Sequence, residues 1–475
     1  MTATVPAPPD APAPTPDGRR RVVVIGGGVA GGVAALRASQ LGADVVLVER
    51  QDVLGGTCVN WGCIPTKALL ASADVLRKVR RAAEYGVVVE GTVSVDFARM
   101  MARKEESVEA MRNGLTAACQ RKKVRVVHGE AHVDGDAVVV AEERIPYDVV
   151  VVCVGTEPSG LPGLDMEHPS VVTSNGILRL ERVPDRLLVI GGGVIGCEFA
   201  SFFQPLGAQI TVVEMLPQIL TGVEPRVVQQ FRRLLEKDGI TFMTGRRLEK
   251  VAEYRDTSLV ALLDDGTTIE ADTMLVSIGR RAQTRGIGLE EAGVEITDRG
   301  HVVVDGMLQT ANPRIWAAGD CIGGLQLAHL ATKEAERAVE NALGVHPRPI
   351  DRTVVPSCIY THPNLAMVGL NSETAKAAGF TVRTGQARYL GNGKAWGEGE
   401  TEGMVQIHSD EATNVILGAT IMGEHSVEII HEVAVAISDG LTEAELADVI
   451  HAHPTVSELV MDAAQQGEKV APYLS

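Results

Sequence analysis

The sequence predicts an α/β protein built on two copies of one βαβ unit, and three observations carry that reading. RVVVIGGGVAG at residues 21–31 returns as RLLVIGGGVIG at 186–196. LGADVVLVE at 41–49 returns as LGAQITVVE at 206–214, displaced by the same 165 positions as the first pair (21 to 186, 41 to 206). Downstream of each copy, DVVVVCVG (148–155) and DTMLVSIG (272–279) are apolar strands that close on glycine. Each copy therefore reads as a buried strand, a glycine turn, a helix and a second apolar strand ending in glutamate.

The glycines have a physical reading. Gly26 permits a tight turn, Gly28 lets backbone approach a pyrophosphate, and Gly31 lets helix and strand pack closely, with the helix N-terminus facing the phosphates. Glu49, 23 residues beyond Gly26, stands where a carboxylate accepts a ribose 2′-hydroxyl. Gly191, Gly193, Gly196 and Glu214 repeat the set at the same spacing. A single such motif is weak, because a bare glycine turn produces it. Two copies, each between strand and helix and each with its acid, predict two Rossmann-like units that bind two dinucleotides. In the second unit, Glu214 is followed by Met215, Leu216 and Pro217, with no cation before Arg226. A carboxylate there repels a 2′-phosphate, which favours NAD over NADP.

Composition narrows the class further. A chain of 475 residues exceeds one ordinary core, so two or three domains are expected. The formal net charge of −17 argues against nucleic acid as a partner, since phosphates demand a basic surface. No apolar run reaches the length of a transmembrane helix, so no membrane role is expected. Residues 1–19 are rich in proline and alanine with acidic breaks and read as a flexible tail. That tail resembles neither a secretory signal nor a transit peptide, which makes a cytoplasmic location the default. Seven cysteines, odd in number and mostly lone, do not form a secreted disulfide framework.

The exception is the close pair Cys58 and Cys63 within GGTCVNWGCIPTKALL (55–70), where Cys63 opens a helical pattern running to about Arg81. A thiol near a helix N-terminus feels the positive end of the dipole, which favours thiolate. No second pair or nearby histidine completes four ligands for zinc, so no metal is expected. Cys119, Cys153, Cys197, Cys321 and Cys358 read as small core residues. Lys67 is one helical turn beyond Cys63, and Glu198 follows the second glycine motif; alone, each is ambiguous. His453 carries a side chain that titrates near neutral pH, and Glu458 would orient it through its other ring nitrogen. Pro454 is expected in the first turn of a helix that carries Glu458 back to the imidazole. His451 reads as an ordinary histidine.

These segments, together with TANPRIWAAGDC (310–321), LAH (327–329), PSCIYTHPNLAMVG (356–369), GETEGMVQI after Gly397 and HAHPTVSE (451–458), resemble the pyridine nucleotide–disulfide oxidoreductases. Within that family the last three look most like the branch that oxidises dihydrolipoyl groups. The resemblance covers essentially everything after Arg20. It implies that Gly26, Gly28, Gly31 and Glu49 hold the adenosine diphosphate part of FAD, that Gly155 belongs to the same cofactor site, and that Asp320 bonds the ribityl chain. Cys58 would be the interchange thiol and Cys63 the flavin-side thiol, with Lys67 and Glu198 beside the flavin. Gly191, Gly193, Gly196, Glu214 and Gly279 would line the NAD site. His453, held by Glu458, would be the acid/base.

The resemblance also implies an FAD domain of about 20–155 plus 281–345, interrupted by an NAD domain of about 156–280. A C-terminal α+β dimerisation domain would follow at 346–475, in a homodimer with shared active sites. The expected partner is the lipoyl domain of a 2-oxo-acid dehydrogenase or glycine-cleavage complex. Other disulfide reductases are the alternatives: Glu214 disfavours a glutathione reductase, and the ending KVAPYLS lacks the terminal cysteine pair of a mercuric reductase. A non-catalytic subunit would have no use for Cys58, Cys63 and His453 together. Trp61, in the cysteine loop, is bulkier than the pattern. CVGTEP (153–158) stands where ATGS is usual, and Gln283 where asparagine is usual.

Overall fold

A computed structural model of the chain describes residues 18–467. Most of the expected tail and the ending KVAPYLS lie outside the described residues. The chain divides into two compact units: 1–68 with 99–159 and 279–351, and 69–98 with 160–278 and 352–475.

The first unit is organised by a five-stranded parallel sheet. Its order is Ile315–Ala317, Val149–Val152, Arg21–Ile25, Asp44–Glu49 and Arg125–His128. The strands are apolar almost throughout because both faces are covered. On one face, the alanine-rich helix Val29–Gln40 and the helix Ala328–Leu343 close a core around Val22, Val24, Leu47 and Val151. On the other, the antiparallel strands Ala131–Asp134, Ala137–Val140 and Glu143–Pro146 pack Val133, Val138 and Ile145 against Val23, Ile25 and Val150. A short antiparallel pair, Thr156–Pro158 with Arg280–Ala282, leaves the carboxyl end of the sheet.

The second unit repeats the arrangement. Its parallel sheet runs Ile240–Thr244, Gln209–Glu214, Arg186–Ile190, Thr273–Val276 and Val171–Thr173. The duplication read from the sequence is thus a duplication of pairing: each glycine-bearing strand lies between its acid-ending strand and its return strand. The same unit holds an antiparallel sheet of Ser357–Ile359, Leu365–Gly369, Ile416–Met422, Met404–Asp410 and Val382–Arg388. The helices Ser426–Asp439 and Glu458–Gly467 pack on it through Ile430, Val433, Leu459 and Val460. Asn371 and Ser372 tie this layer to the second βαβ segment, donating to the Gly222 carbonyl at 2.9 Å and to Glu224 at 3.0 Å. Among the described residues no helix is long and apolar enough to cross a membrane.

Candidate active site

The two glycine turns are built alike. A side chain at Gly26 would meet the Cys153 carbonyl oxygen at 2.4 Å, and one at Gly191 the Ser277 carbonyl oxygen at 2.5 Å. Gly31 and Gly196 lie against their own turns, where an added Cβ would stand 1.6 Å from the Gly26 oxygen and 2.1 Å from the Gly191 oxygen. The following helices have Gly28 and Gly193 at their N-caps with no side-chain cap. Their first-turn N–H groups therefore suit an anion.

The acids match too. Glu49 accepts from Gly27 N–H at 2.6 Å and from Gln51 N–H at 2.8 Å. Glu214 accepts from Gly192 N–H at 2.7 Å and from Leu216 N–H at 2.8 Å. Each carboxylate is thus fixed by backbone beside its turn. Open space where a Gly193 Cβ would stand, uncapped helix starts and fixed carboxylates fit a bound dinucleotide in each unit. Gly155 and Gly279 both fall in the first unit, each three residues after its apolar strand, Val149–Val152 and Thr273–Val276.

Cys58 sits in a short helix of its own, Gly56–Trp61, and Cys63 begins the helix Cys63–Arg80. Gly56 packs directly on the first glycine turn, where an added Cβ would stand 2.6 Å from the Gly28 Cα. The Gly55-Gly56 pair in the sequence is the signal for that approach. Asn60 pins the loop: its amide donates to the Leu54 and Gly56 carbonyls at 3.0 Å each. Its Oδ1 accepts from Arg112 at 2.9 and 3.0 Å.

Both cysteines are free thiols. The Cys58 thiol is held far above its ordinary pKa, first by its hydrogen bond to Cys63 and then by burial and the charge on Cys63, against the opposing Lys67 ammonium. Each sulfur thus makes the other harder to ionise while Lys67 favours the charge on Cys58. Trp61 closes the short helix half-buried. Cys119, Cys153, Cys197 and Cys321 are buried, while Cys358 is half-buried.

Asp320 opens a short 3₁₀ turn, where its Oδ2 accepts from Thr156 Oγ at 2.9 Å. The preceding Gly319 N–H is held by buried Glu334 at 2.9 Å. Sequence reasoning missed Thr156, Glu334, Asn60 and Arg112: Asn60 and Thr156 sit inside quoted segments without a role of their own, and Glu334 and Arg112 belong to no spaced motif. In the second unit, Glu198 is buried and accepts from Tyr360 N–H at 3.0 Å. Lys67 belongs to the first unit.

His453 Nδ1 lies 2.9 Å from Glu458 Oε1, with the imidazole side chain 78% exposed. Burial works against the Glu458 charge, but hydrogen bonds from Thr455 N–H and His453 outweigh it and hold this carboxyl below the ordinary range. One expectation needs correction. Pro454 does not stand in a helical first turn: the His453–Pro454 bond is cis and the helix starts at Glu458. The carboxylate reaches His453 because its other oxygen closes the intervening turn, accepting from Thr455 N–H at 2.8 Å. His451 is internal, bonded to the Val449 carbonyl at 2.8 Å and paired with Glu432. Among the described residues no cluster could hold a metal ion.

Residues 20–335 match the family described as Pyridine nucleotide-disulphide oxidoreductase, and residues 355–464 match the dimerisation domain of that family. The chain belongs to this family. It is 39% identical over 462 residues to a dihydrolipoyl dehydrogenase of Bacillus subtilis, covering 93% of this chain and 97% of that protein. It is 38% identical to a dihydrolipoyl dehydrogenase of Chlorobaculum tepidum, covering 93% and 96%. Among solved structures it superposes on LpdA from Mycobacterium tuberculosis with a TM-score of 0.88 at 27% identity, covering 95% of this chain and all of that one. The C-terminal sheet and its helices are therefore a dimerisation domain.

Proposed function

We propose that this chain is a dihydrolipoyl dehydrogenase, oxidising protein-bound dihydrolipoamide and reducing NAD⁺ with FAD as its resident cofactor. The observation that carries the reading is the Cys58–Cys63 pair, in hydrogen-bond contact at the head of a helix and packed through Gly56 on the Gly26–Gly31 turn. Gly26, Gly28, Gly31, Glu49, Gly155 and Asp320 are assigned to FAD, with Lys67 and Glu198 on its flavin side. Gly191, Gly193, Gly196, Glu214 and Gly279 are assigned to NAD. This makes 20–155 with 281–345 the FAD domain, 156–280 the NAD domain and 346–475 the dimerisation domain.

His453 removes a proton from one dihydrolipoyl thiol, and the resulting thiolate attacks the Cys58 sulfur of the oxidised pair. The Cys58–Cys63 bond breaks and Cys63 leaves as thiolate. The second substrate thiol then displaces Cys58, which closes the lipoyl disulfide and leaves one thiol and one thiolate on the enzyme. Bound FAD supplies the two-electron route from that dithiol to the nicotinamide. Glu458 holds the imidazole in the tautomer whose Nε2 accepts the proton.

The enzyme works as a homodimer in which each cysteine pair is served by the histidine of the second copy. The lipoyl group comes from the lipoyl domain of a 2-oxo-acid dehydrogenase or glycine-cleavage complex. The cytoplasm, where thiols stay reduced, suits a working dithiol among otherwise lone cysteines. The test is a steady-state assay of dihydrolipoamide with NAD⁺, beside glutathione disulfide with NADPH. Turnover confined to the second pair would overturn the reading.

A further inference from the structure

Arg280 and Arg281 are consecutive residues of one short strand and point to opposite sides. Arg281 is exposed and pairs with Glu157 at 2.9 Å. Arg280 turns inward, where Nε donates to Thr156 Oγ at 2.8 Å and Nη2 donates to the Thr156 carbonyl at 2.8 Å and to Thr57 Oγ at 3.3 Å. Thr156 in turn donates to Asp320. One guanidinium thus joins the residue before Cys58 to the turn that carries Asp320.

We propose that Arg280 is a positioning residue for the redox pair, tying the cysteine loop at Thr57 to the Thr156–Asp320 turn and keeping a fixed positive charge beside Cys63. The inference rests on the reading of Cys63 as the flavin-side thiol. Burial pulls the Arg280 pKa below its ordinary value, while the charges of Asp320, Cys63 and Glu157 act to retain its proton. A group with this many donors committed and the carboxylates of Asp320 and Glu157 acting on it stays charged. The charge has a use, because Cys63 must leave as thiolate whenever the disulfide opens. Lys67 favours the charge on Cys58, and Cys63 is one of the charges felt by Arg280.

The test uses FAD-loaded enzyme in a Cys58→Ser background, so that Cys63 is the only thiol of the pair. The readout is the long-wavelength absorption that a Cys63 thiolate against flavin produces, followed against pH. Adding Arg280→Met should raise the midpoint by about one unit, a tenfold weaker ionisation. Arg280→Lys should restore most of the shift, since charge rather than shape is what the sulfur senses. Thr57→Val, which keeps the cation but removes its contact to the loop, should move the midpoint in the same direction by less, and decides the matter if the methionine variant does not fold. Folded, FAD-loaded Met and Val variants that titrate with their parent would overturn the proposal. A parent without the band would refute the Cys63 assignment itself, and the inference with it.

Discussion

Nδ1 of His453 lies 2.9 Å from Oε1 of Glu458, and this contact determines which nitrogen of the ring is available for chemistry. A carboxylate at Nδ1 selects the tautomer protonated there and leaves the Nε2 lone pair outward. Because Glu458 also accepts from Thr455 N–H, it is fixed before the histidine is.

Glu458→Gln should therefore lower kcat with dihydrolipoamide by about tenfold to a hundredfold. NADH-driven reduction of a small one-electron oxidant, which needs no thiol proton, should stay near wild type. Equal losses in both reactions would mean that the glutamate supports the fold rather than the base.

NAD should be preferred over NADP by at least about tenfold in kcat/KM, roughly 1.4 kcal/mol. Glu214 is held by the N–H groups of Gly192 and Leu216, so it cannot swing away from an incoming 2′-phosphate. Glu214→Ala combined with Leu216→Arg should narrow the gap. Equal efficiency with both cofactors in the wild-type enzyme would sink the argument.

Acid should destabilise the second unit through two histidines, the half-buried His362 and the buried His408. Burial, with Arg77, Arg81 and Lys78 nearby, pushes His362 down to about 4. Burial also lowers His408, with Glu224 opposing and Lys376 reinforcing the shift. In both cases the folded pKa lies below the unfolded value of about 6.5. The unfolded chain therefore takes up the proton first, and stability present above pH 6.5 is lost as pH falls toward the folded values. For His362 the loss approaches about 3 kcal/mol by pH 4. His362→Gln should flatten the melting temperature between pH 6.5 and 4, and an unchanged slope would remove His362 from the account.

Much of this was legible in the sequence because it recurs or follows a period. The twin glycine turns, their acids and the strands closing on Gly155 and Gly279 are local patterns that backbone geometry dictates. The cysteine helix starts at Cys63 and ends at Arg80, close to the expected Arg81. What escaped is what long-range contact creates. Thr57, Thr156, Arg280 and Asp320 meet only after the chain has folded, and Arg280 in isolation reads as one of two loop cations. Pro454 misled because proline suits a helical first turn by its φ angle, whereas here the turn is closed by the side chain of Glu458.

The last prediction concerns the dimer. His453 lies 390 residues after Cys63 in the chain (453 − 63), on the dimerisation domain, with its imidazole largely exposed. An acid/base that serves its own cysteine pair has no need of a second copy; one turned outward on a self-complementary domain can complete the site of a partner. A twofold interface would then build both sites at once. His453→Ala and Cys58→Ser homodimers should each be nearly inactive with dihydrolipoamide. Mixing the two under conditions that exchange subunits should restore activity, because one site of each heterodimer combines an intact cysteine pair with an intact histidine. About half the wild-type turnover per verified heterodimer is the expected ceiling, one site in two being whole. If each site were built within one chain, every heterodimer would carry one defect per site and no activity would return. Failure of rescue in isolated heterodimers, or full activity in a monomer, would refute the shared site.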